Sequence, residues 1–190
     1  MKHRVTEELH VVLAFVGLIW VVFLIDAAIP FQLNQFGLAP RRTSGLIGIV
    51  AMPFLHGSFS HLLGNTVPLV VLLTLMAGSR ADTLRVVPVI ILVNGILLWM
   101  FGRGNAVHVG ASGLIYGLIA FLMVAGFREG RLMALAVAIL VGFLYGTTLI
   151  SGILPIVNDA QVSWDGHLFG AIAGGIVAMG AVRRQSLRSD

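Results

Sequence analysis

The sequence predicts an all-α fold, a polytopic membrane protein whose six transmembrane helices form a single bundle. Of its 190 residues, 58% are hydrophobic and 11% are charged, whereas about 25% of the residues in a soluble domain carry a charge. Six apolar segments are long enough to cross a bilayer, which takes about 20 residues per helix. The residues left over suffice for connections, so we predict one membrane domain over residues 1–190.

The predicted helices cover residues 9–29, 61–77, 86–101, 112–127, 132–150 and 166–182. The first follows a basic start, and Asp26-Ala27-Ala28 loosely resembles a signal-peptide cleavage site. Its apolar stretch is longer than the roughly 7–15 residues of a signal peptide, so we expect a retained helix. The long connection over residues 30–60 has apolar groups too short to span, and we expect it to be interfacial or re-entrant.

Basic residues predict the orientation of the bundle. Nine fall at the two termini or in connections on the same side, namely Lys2, Arg4, Arg80, Arg85, Arg128, Arg131, Arg183, Arg184 and Arg188. Three fall on the opposite side, namely Arg41, Arg42 and Arg103. The positive-inside rule then places both termini in the cytoplasm. These loop arginines explain the net charge of +4, and since the chain has no motif that reads RNA or DNA, we expect no nucleic-acid partner.

This orientation gathers polar residues on the outer side of the membrane. The second, fourth and sixth helices all start there, and the polar residues at or near their starts are His61, Asn65, Ser112 and His167. With a rise of 1.5 Å per residue, all four lie within roughly 6 Å of one depth. The sequence therefore predicts one outward-facing polar layer.

Ser112 and His167 are the residues of this layer best suited to chemistry. Serine alone is a common packing residue in membrane helices, but its hydroxyl becomes a nucleophile when a base lies within hydrogen-bonding reach. No acid completes a triad, because Asp165 is two residues from His167 and points to a different helix face. The pair therefore predicts a serine–histidine dyad.

Small residues on the fourth and sixth helices favour contact between the dyad residues. They are Gly113 and Gly117 on the fourth helix, and Gly166, Gly170 and Gly174 on the sixth. Such faces let two backbones approach closely, although the spacing is also compatible with packing alone. Tyr116 shares a helix face with Ser112, so it is a candidate to pack on the ring of His167. A tyrosine with a purely interfacial or bundle role fits equally well.

A second motif offers hydrogen-bond donors. His61 and Asn65 are four residues apart and share a helix face. Acyl transfer develops an oxyanion that needs preorganised donors, and these two side chains with the backbone N–H of Ser112 are candidates. The rival interpretation is a metal site with His56, His61 and His167. Zinc proteases usually show His-Glu-x-x-His, and the glutamate is absent here, so we expect no metal and a structural role for His56.

Together these motifs resemble the rhomboid intramembrane serine proteases. The shared pattern is His56-x4-His61-x3-Asn65, then Gly110-x-Ser112-Gly113 with Tyr116, then Gly166-His167 before a helix of small residues that includes Gly170. It covers the chain from about Gly37 to Arg183 in family order. The resemblance implies a six-helix bundle with a water-filled cavity open to the outer face. It also implies Ser112 as nucleophile, His167 as base above a stacked Tyr116, and an oxyanion hole of His61, Asn65 and the Ser112 amide.

The resemblance also implies how the connections are used. The long first connection would lie partly in the outer leaflet, and the loop over residues 151–163 would be a flexible cap. Pro40-Arg41-Arg42 stands where the family often has a Trp-Arg pair, so this chain departs from the pattern there. We expect a serine endopeptidase without a cofactor, in a prokaryotic plasma membrane, that acts on transmembrane proteins of the lipid bilayer near the outer end of their helices.

Two other classes of function fit the same residues. One is a non-catalytic rhomboid-like protein that binds membrane helices for quality control. The other is a small transporter or channel that uses the polar layer. Charged residues near mid-membrane, which ion coupling usually needs, are lacking in this sequence.

Overall fold

Seven α-helices make up the described part of the chain. The computed structural model describes residues 2–79, 83–155 and 163–186, with side chains between residues 5 and 181. The helices are α1 (Lys2–Ala28), α2 (Gly48–Ala51), α3 (Phe59–Ser79), α4 (Thr83–Phe101), α5 (Ser112–Glu129), α6 (Leu132–Ile153) and α7 (Trp164–Ser186). The expected turn at residues 80–82 and most of the expected cap, residues 156–162, lie outside the described residues.

The prediction of an all-α, polytopic membrane fold is confirmed. Five helices are long and apolar enough to cross a membrane, namely Val5–Ala28, Phe59–Ser79, Thr83–Phe101, Ser112–Glu129 and Leu132–Ile153. The sixth long helix, α7, is not among them over its described side chains, residues 164–181, which combine many glycines and alanines with polar residues in the first turn. It is nevertheless packed into the bundle against α5 and α4.

The helix bounds differ from the prediction by a few residues, and two of the differences concern α1 and α6. Helix α1 begins at Lys2 rather than near residue 9. Its first two turns are mostly polar and gave no apolar signal, but they include the good helix formers Glu7 and Glu8. Helix α6 continues to Ile153, so Ser151 and Gly152 belong to its last turn rather than to a loop. This second correction matters for the site.

The long connection folds into short helical turns, none of which is long enough to span a bilayer. They are Leu33–Phe36, Thr43–Gly45, α2 and Met52–Phe54. Arg41 fastens this segment to the end of α4, because its guanidinium donates to the carbonyl oxygen of Gly102 at 2.7 Å. Trp99 of α4 donates from its indole nitrogen to the carbonyl oxygen of Arg42 at 2.9 Å.

Helix α5 is the centre of the bundle and packs on α3, α4, α6 and α7. Its contact with α7 is nearly backbone to backbone. A Cβ atom placed on Gly170 would lie 2.1 Å from the carbonyl oxygen of Gly113, and one on Gly174 would lie 1.9 Å from that of Gly117. The close pairing predicted from the small residues is therefore present, and it sets the starts of α5 and α7 side by side.

Candidate active site

A cavity of about 710 Å³ opens at the end of the bundle where α3, α5 and α7 start. Its lining includes the four residues of the predicted polar layer, namely His61, Asn65, Ser112 and His167. The structure thus brings together side chains that are up to 106 residues apart in the sequence. The loop over residues 102–111, which leads from α4 into α5, forms another wall.

Ser112 is the first residue of α5. The N–H groups of a first helical turn have no partner within the helix, so the amide of Ser112 is available to an acceptor in the cavity. Gly110 precedes it with a φ of +111°, a backbone conformation that residues with a Cβ atom rarely adopt. A Cβ there would also lie 2.5 Å from Nε2 of His61. Glycine is therefore required for the loop to pass this close to His61.

His167 is held in one tautomer by the end of α6. Its Nδ1 lies 3.0 Å from the carbonyl oxygen of Gly152, and since a carbonyl only accepts, Nδ1 carries the proton. This carbonyl belongs to the last turn of α6. Neutral imidazole then has its lone pair on Nε2, as a general base needs.

Tyr116 supports the imidazole ring from below. The two rings are parallel within 2° with centroids 4.1 Å apart, so the predicted packing of Tyr116 on His167 is present. The hydroxyl of Tyr116 donates to the carbonyl oxygen of Thr148 at 3.0 Å. A Cβ on Gly152 would overlap this hydroxyl at 1.6 Å. Helix α6 therefore fixes both the tautomer and the plane of His167.

His56 bonds to Asn65 and orients its side chain, rather than binding a metal. The side-chain amide of Asn65 lies 3.1 Å from Nε2 of His56, and the rings of His56 and His61 meet edge to face with centroids 5.0 Å apart. His56 lies in the loop before α3, where burial and the neighbouring His61 lower its pKa to about 4. The neutral ring accepts an N–H of Asn65, whose second N–H is left for the cavity.

The metal-site interpretation has no geometric support in the part of the chain that the structure describes. Within it, no group of three histidine or acidic side chains is arranged to hold a metal ion. His56 and Asn65 are instead bonded to each other.

Several residues of the site carried no assignment from the sequence. Gly152 acts through its backbone carbonyl, which every residue type has, so its residue type did not indicate this role. Asp165 accepts from Arg103 rather than from His167. His108 is 4% exposed and bonds to Ser163 at 2.7 Å. The signal that was available for His108 is a histidine four residues before Ser112, between Val107 and Val109.

Comparisons with known proteins find sequences related to this chain. The rhomboid domain family matches residues 43–184. Over 174 residues the chain is 38% identical to an uncharacterized protein of Mycobacterium tuberculosis (strain ATCC 25618 / H37Rv), which covers 88% of this chain and 72% of that one. An uncharacterized protein of Mycobacterium leprae (strain TN) is 36% identical over 174 residues, 88% of this chain and 68% of that one. No solved structure matches the chain.

Members of this family are in general serine proteases that work within the membrane. The matched region contains every described residue that lines the cavity. Five of the described helices, α3 and α5 beside the cavity among them, are long and apolar enough to span a bilayer. This chain is therefore a multi-pass membrane protein of the rhomboid family.

Proposed function

We propose that this protein is a serine endopeptidase that hydrolyses single-span membrane proteins near the outer face of the membrane, with Ser112 as nucleophile and His167 as general base. The observation that carries the proposal is the bond from Nδ1 of His167 to the carbonyl oxygen of Gly152. It leaves Nε2 as the acceptor, in the same cavity as the hydroxyl of Ser112.

The reaction has two halves. Nε2 of His167 takes the proton of the Ser112 hydroxyl as the oxygen attacks the substrate carbonyl. The tetrahedral intermediate collapses when His167 returns the proton to the leaving amine, and an acyl-serine remains. A water molecule then gives its proton to His167 and attacks the ester, which releases the second product and regenerates the hydroxyl.

Three donors surround the position where the oxyanion develops. They are the amide N–H of Ser112, the second side-chain N–H of Asn65 and the ring of His61. A Cβ on Gly110 would lie 2.5 Å from Nε2 of His61 and 3.4 Å from Nδ2 of Asn65, so both donors border the loop that leads into Ser112. Donors fixed before the reaction stabilise the developing charge without reorganisation.

The cavity also accounts for how water reaches a site between membrane helices. Polar groups inside a bilayer need partners or water, and this cavity is open at the end of the bundle. With both termini in the cytoplasm, that end faces the outside. A substrate helix would have to unwind locally there, so small, helix-weakening residues near the scissile bond favour cleavage.

The test uses the full chain in detergent with a generic single-span substrate. Ser112→Ala and His167→Ala are compared with Ser44→Ala, which removes an exposed serine outside the cavity. We expect cleavage by the parent and by Ser44→Ala, and loss of at least about a thousandfold in the two dyad variants. A serine-directed fluorophosphonate should label the parent at Ser112.

Cleavage that survives in folded Ser112→Ala would contradict the proposal. The absence of both cleavage and labelling in the folded parent would favour a protein that binds membrane helices without cutting them.

A further inference from the structure

Asp165 is a buried carboxylate that joins two distant segments at the cavity. Only 3% of the surface of Asp165 is exposed to solvent. One carboxylate oxygen accepts the backbone N–H of Arg103 at 2.9 Å, and the other accepts the guanidinium Nη2 of the same residue at 3.2 Å. Asp165 therefore holds the beginning of the loop over residues 102–111 through both the backbone and the side chain of Arg103.

A second bond joins the same two segments. Nδ1 of His108 lies 2.7 Å from the hydroxyl of Ser163. That hydroxyl lies 3.2 Å from Oδ1 of Asp165 and accepts the N–H of Gly166 at 3.2 Å, so Ser163 caps the start of α7. Because a carboxylate only accepts, the hydroxyl of Ser163 donates to Asp165. The same hydroxyl then accepts the hydrogen bond from Nδ1 of His108.

The opposite edge of the loop is fastened to the long connection. His108 and Leu38 exchange two backbone hydrogen bonds of 2.8 and 2.9 Å, and the N–H of Gly110 donates to the carbonyl oxygen of Met52 at 2.9 Å. The loop is thus fixed on both sides. It ends on Ser112, whereas the segment that Asp165 belongs to continues within two residues to His167.

We propose that Asp165 is a positioning residue that sets the separation of Ser112 and His167 by clamping the loop over residues 102–111 to the start of α7. The inference rests on the proposed function, because it concerns the geometry of the dyad. Asp165 makes no hydrogen bond with Ser112 or His167 in the described contacts. Its charge lies close enough to interact with His167, but its hydrogen bonds act on the two segments that carry the dyad. A displacement of about 1 Å in a reacting pair can cost on the order of a hundredfold in rate.

The competing explanation is that Asp165 only stabilises the fold, as a carboxylate in the first turn of a helix commonly does. The chain offers a matched control for this. The carboxylate of Glu8 accepts the backbone N–H of Thr83 at 2.9 Å. This bond also joins distant segments, but it lies at the far end of α4, roughly 27 Å along the helix from the cavity.

The experiment compares Asp165→Ala, Asp165→Asn and Glu8→Ala with the parent in the full detergent-solubilised chain. Four quantities are measured: the rate of fluorophosphonate labelling at Ser112, kcat and KM for a single-span substrate, amide hydrogen exchange over residues 102–111, and Tm. The asparagine variant keeps an oxygen for the N–H of Arg103 but loses the charge.

We expect Asp165→Ala to slow labelling and to lower kcat by roughly 10- to 100-fold with KM nearly unchanged, and to speed exchange over residues 102–111. Asp165→Asn should recover part of both effects. Glu8→Ala should lower Tm while labelling, kcat and loop exchange stay at the parent's values.

Equal labelling in Asp165→Ala and the parent would overturn the proposal, as would equal loop exchange. A loss of labelling in Glu8→Ala as large as that in Asp165→Ala would also overturn it. Lower stability anywhere in the fold would then be enough to slow labelling. A parent that is not labelled at Ser112 refutes the proposed function instead, and the exchange data then show separately whether Asp165 holds the loop.

Discussion

At the scale of single residues, the chemistry of the cavity depends on which hydrogen bonds its side chains have already made. The Nδ1–H of His167 donates a hydrogen bond to the carbonyl oxygen of Gly152, and one side-chain N–H of Asn65 donates to Nε2 of His56. Each residue therefore presents one remaining hydrogen-bonding group to the cavity. For His167 it is a lone pair, and for Asn65 it is a donor.

In the proposed mechanism, Asn65→Ala removes one oxyanion donor and leaves Ser112 and His167 in place. We expect kcat to fall by roughly 10- to 1,000-fold, with a smaller change in KM because the donor matters most in the transition state. Steady-state kinetics with the single-span substrate measure this split. Turnover at the parent's level in a folded Asn65→Ala variant would remove Asn65 from the oxyanion hole.

The low pKa of His56, about 4, gives the fold a dependence on pH. In the unfolded chain its pKa is near 6.5, so between about pH 6.5 and 4 the unfolded state binds a proton that the folded state does not. The contribution to stability is complete above pH 6.5 and is lost as the pH falls towards 4. Protonation would also place two donors against each other at Asn65.

We therefore expect the free energy of unfolding to fall with acid by about 1–3 kcal/mol through this residue. His56→Gln offers an acceptor that does not titrate, so its Tm should fall less than that of the parent between pH 7 and pH 5. Thermal unfolding in detergent at both pH values measures the difference. Identical acid-induced losses in the two proteins would show that His56 is not the responsible group.

At the scale of elements, the contact between α5 and α7 decides whether the dyad can form. The backbone of Gly113 occupies the space that a Cβ atom on Gly170 would need. A Cβ atom on Gly175, on the same helix, would have no described atom within 4 Å. Two glycines five residues apart thus face different surroundings. The packed one holds the helix that begins near His167 against the helix that begins with Ser112.

Gly170→Leu should separate α5 from α7 and abolish activity, because the leucine side chain meets backbone that cannot move aside. Gly175→Leu makes the same change on the open side of α7 and should retain activity within about twofold, as surface substitutions usually do. Cleavage rates and Tm of both variants test this. An active and stable Gly170→Leu variant would show that the close helix contact is not needed.

At the scale of the whole molecule, the orientation in the membrane decides on which side the cavity opens. Arg85, Arg128 and Arg131 lie at the end of the bundle opposite the cavity, where α4 begins and α5 ends. The positive-inside rule assigns that end to the cytoplasm. The cavity then faces the outside, so substrates would be cut near the outer ends of their helices.

Reporter fusions test the orientation directly. A reporter fused after Arg188 should read out as cytoplasmic, and one fused after Asn105, in the loop between α4 and α5, should read out on the opposite side. The second fusion is the control for the first. A swapped pair of signals would invert the topology and place the cavity on the cytoplasmic side.

The sequence by itself determined the fold class, the number of long helices and the identity of the polar layer. These follow from local quantities: the length of apolar runs that a bilayer requires, and the polar residues that interrupt them at helix starts, where His61, Ser112 and His167 stand. The small-residue spacing also indicated the pairing of α5 with α7, because close backbone approach needs glycine at regular intervals.

Only the tertiary structure decided which groups complete the site. The carbonyl of Gly152 is a backbone atom in the last turn of another helix, and no residue pattern encodes a carbonyl's direction. The bond between Asp165 and Arg103 spans 62 residues, and its existence depends on how α4 and α7 are placed around α5. The physical reason is that helix lengths and polar positions are local properties of a chain, whereas hydrogen-bond partners are set by packing between elements that are distant in sequence.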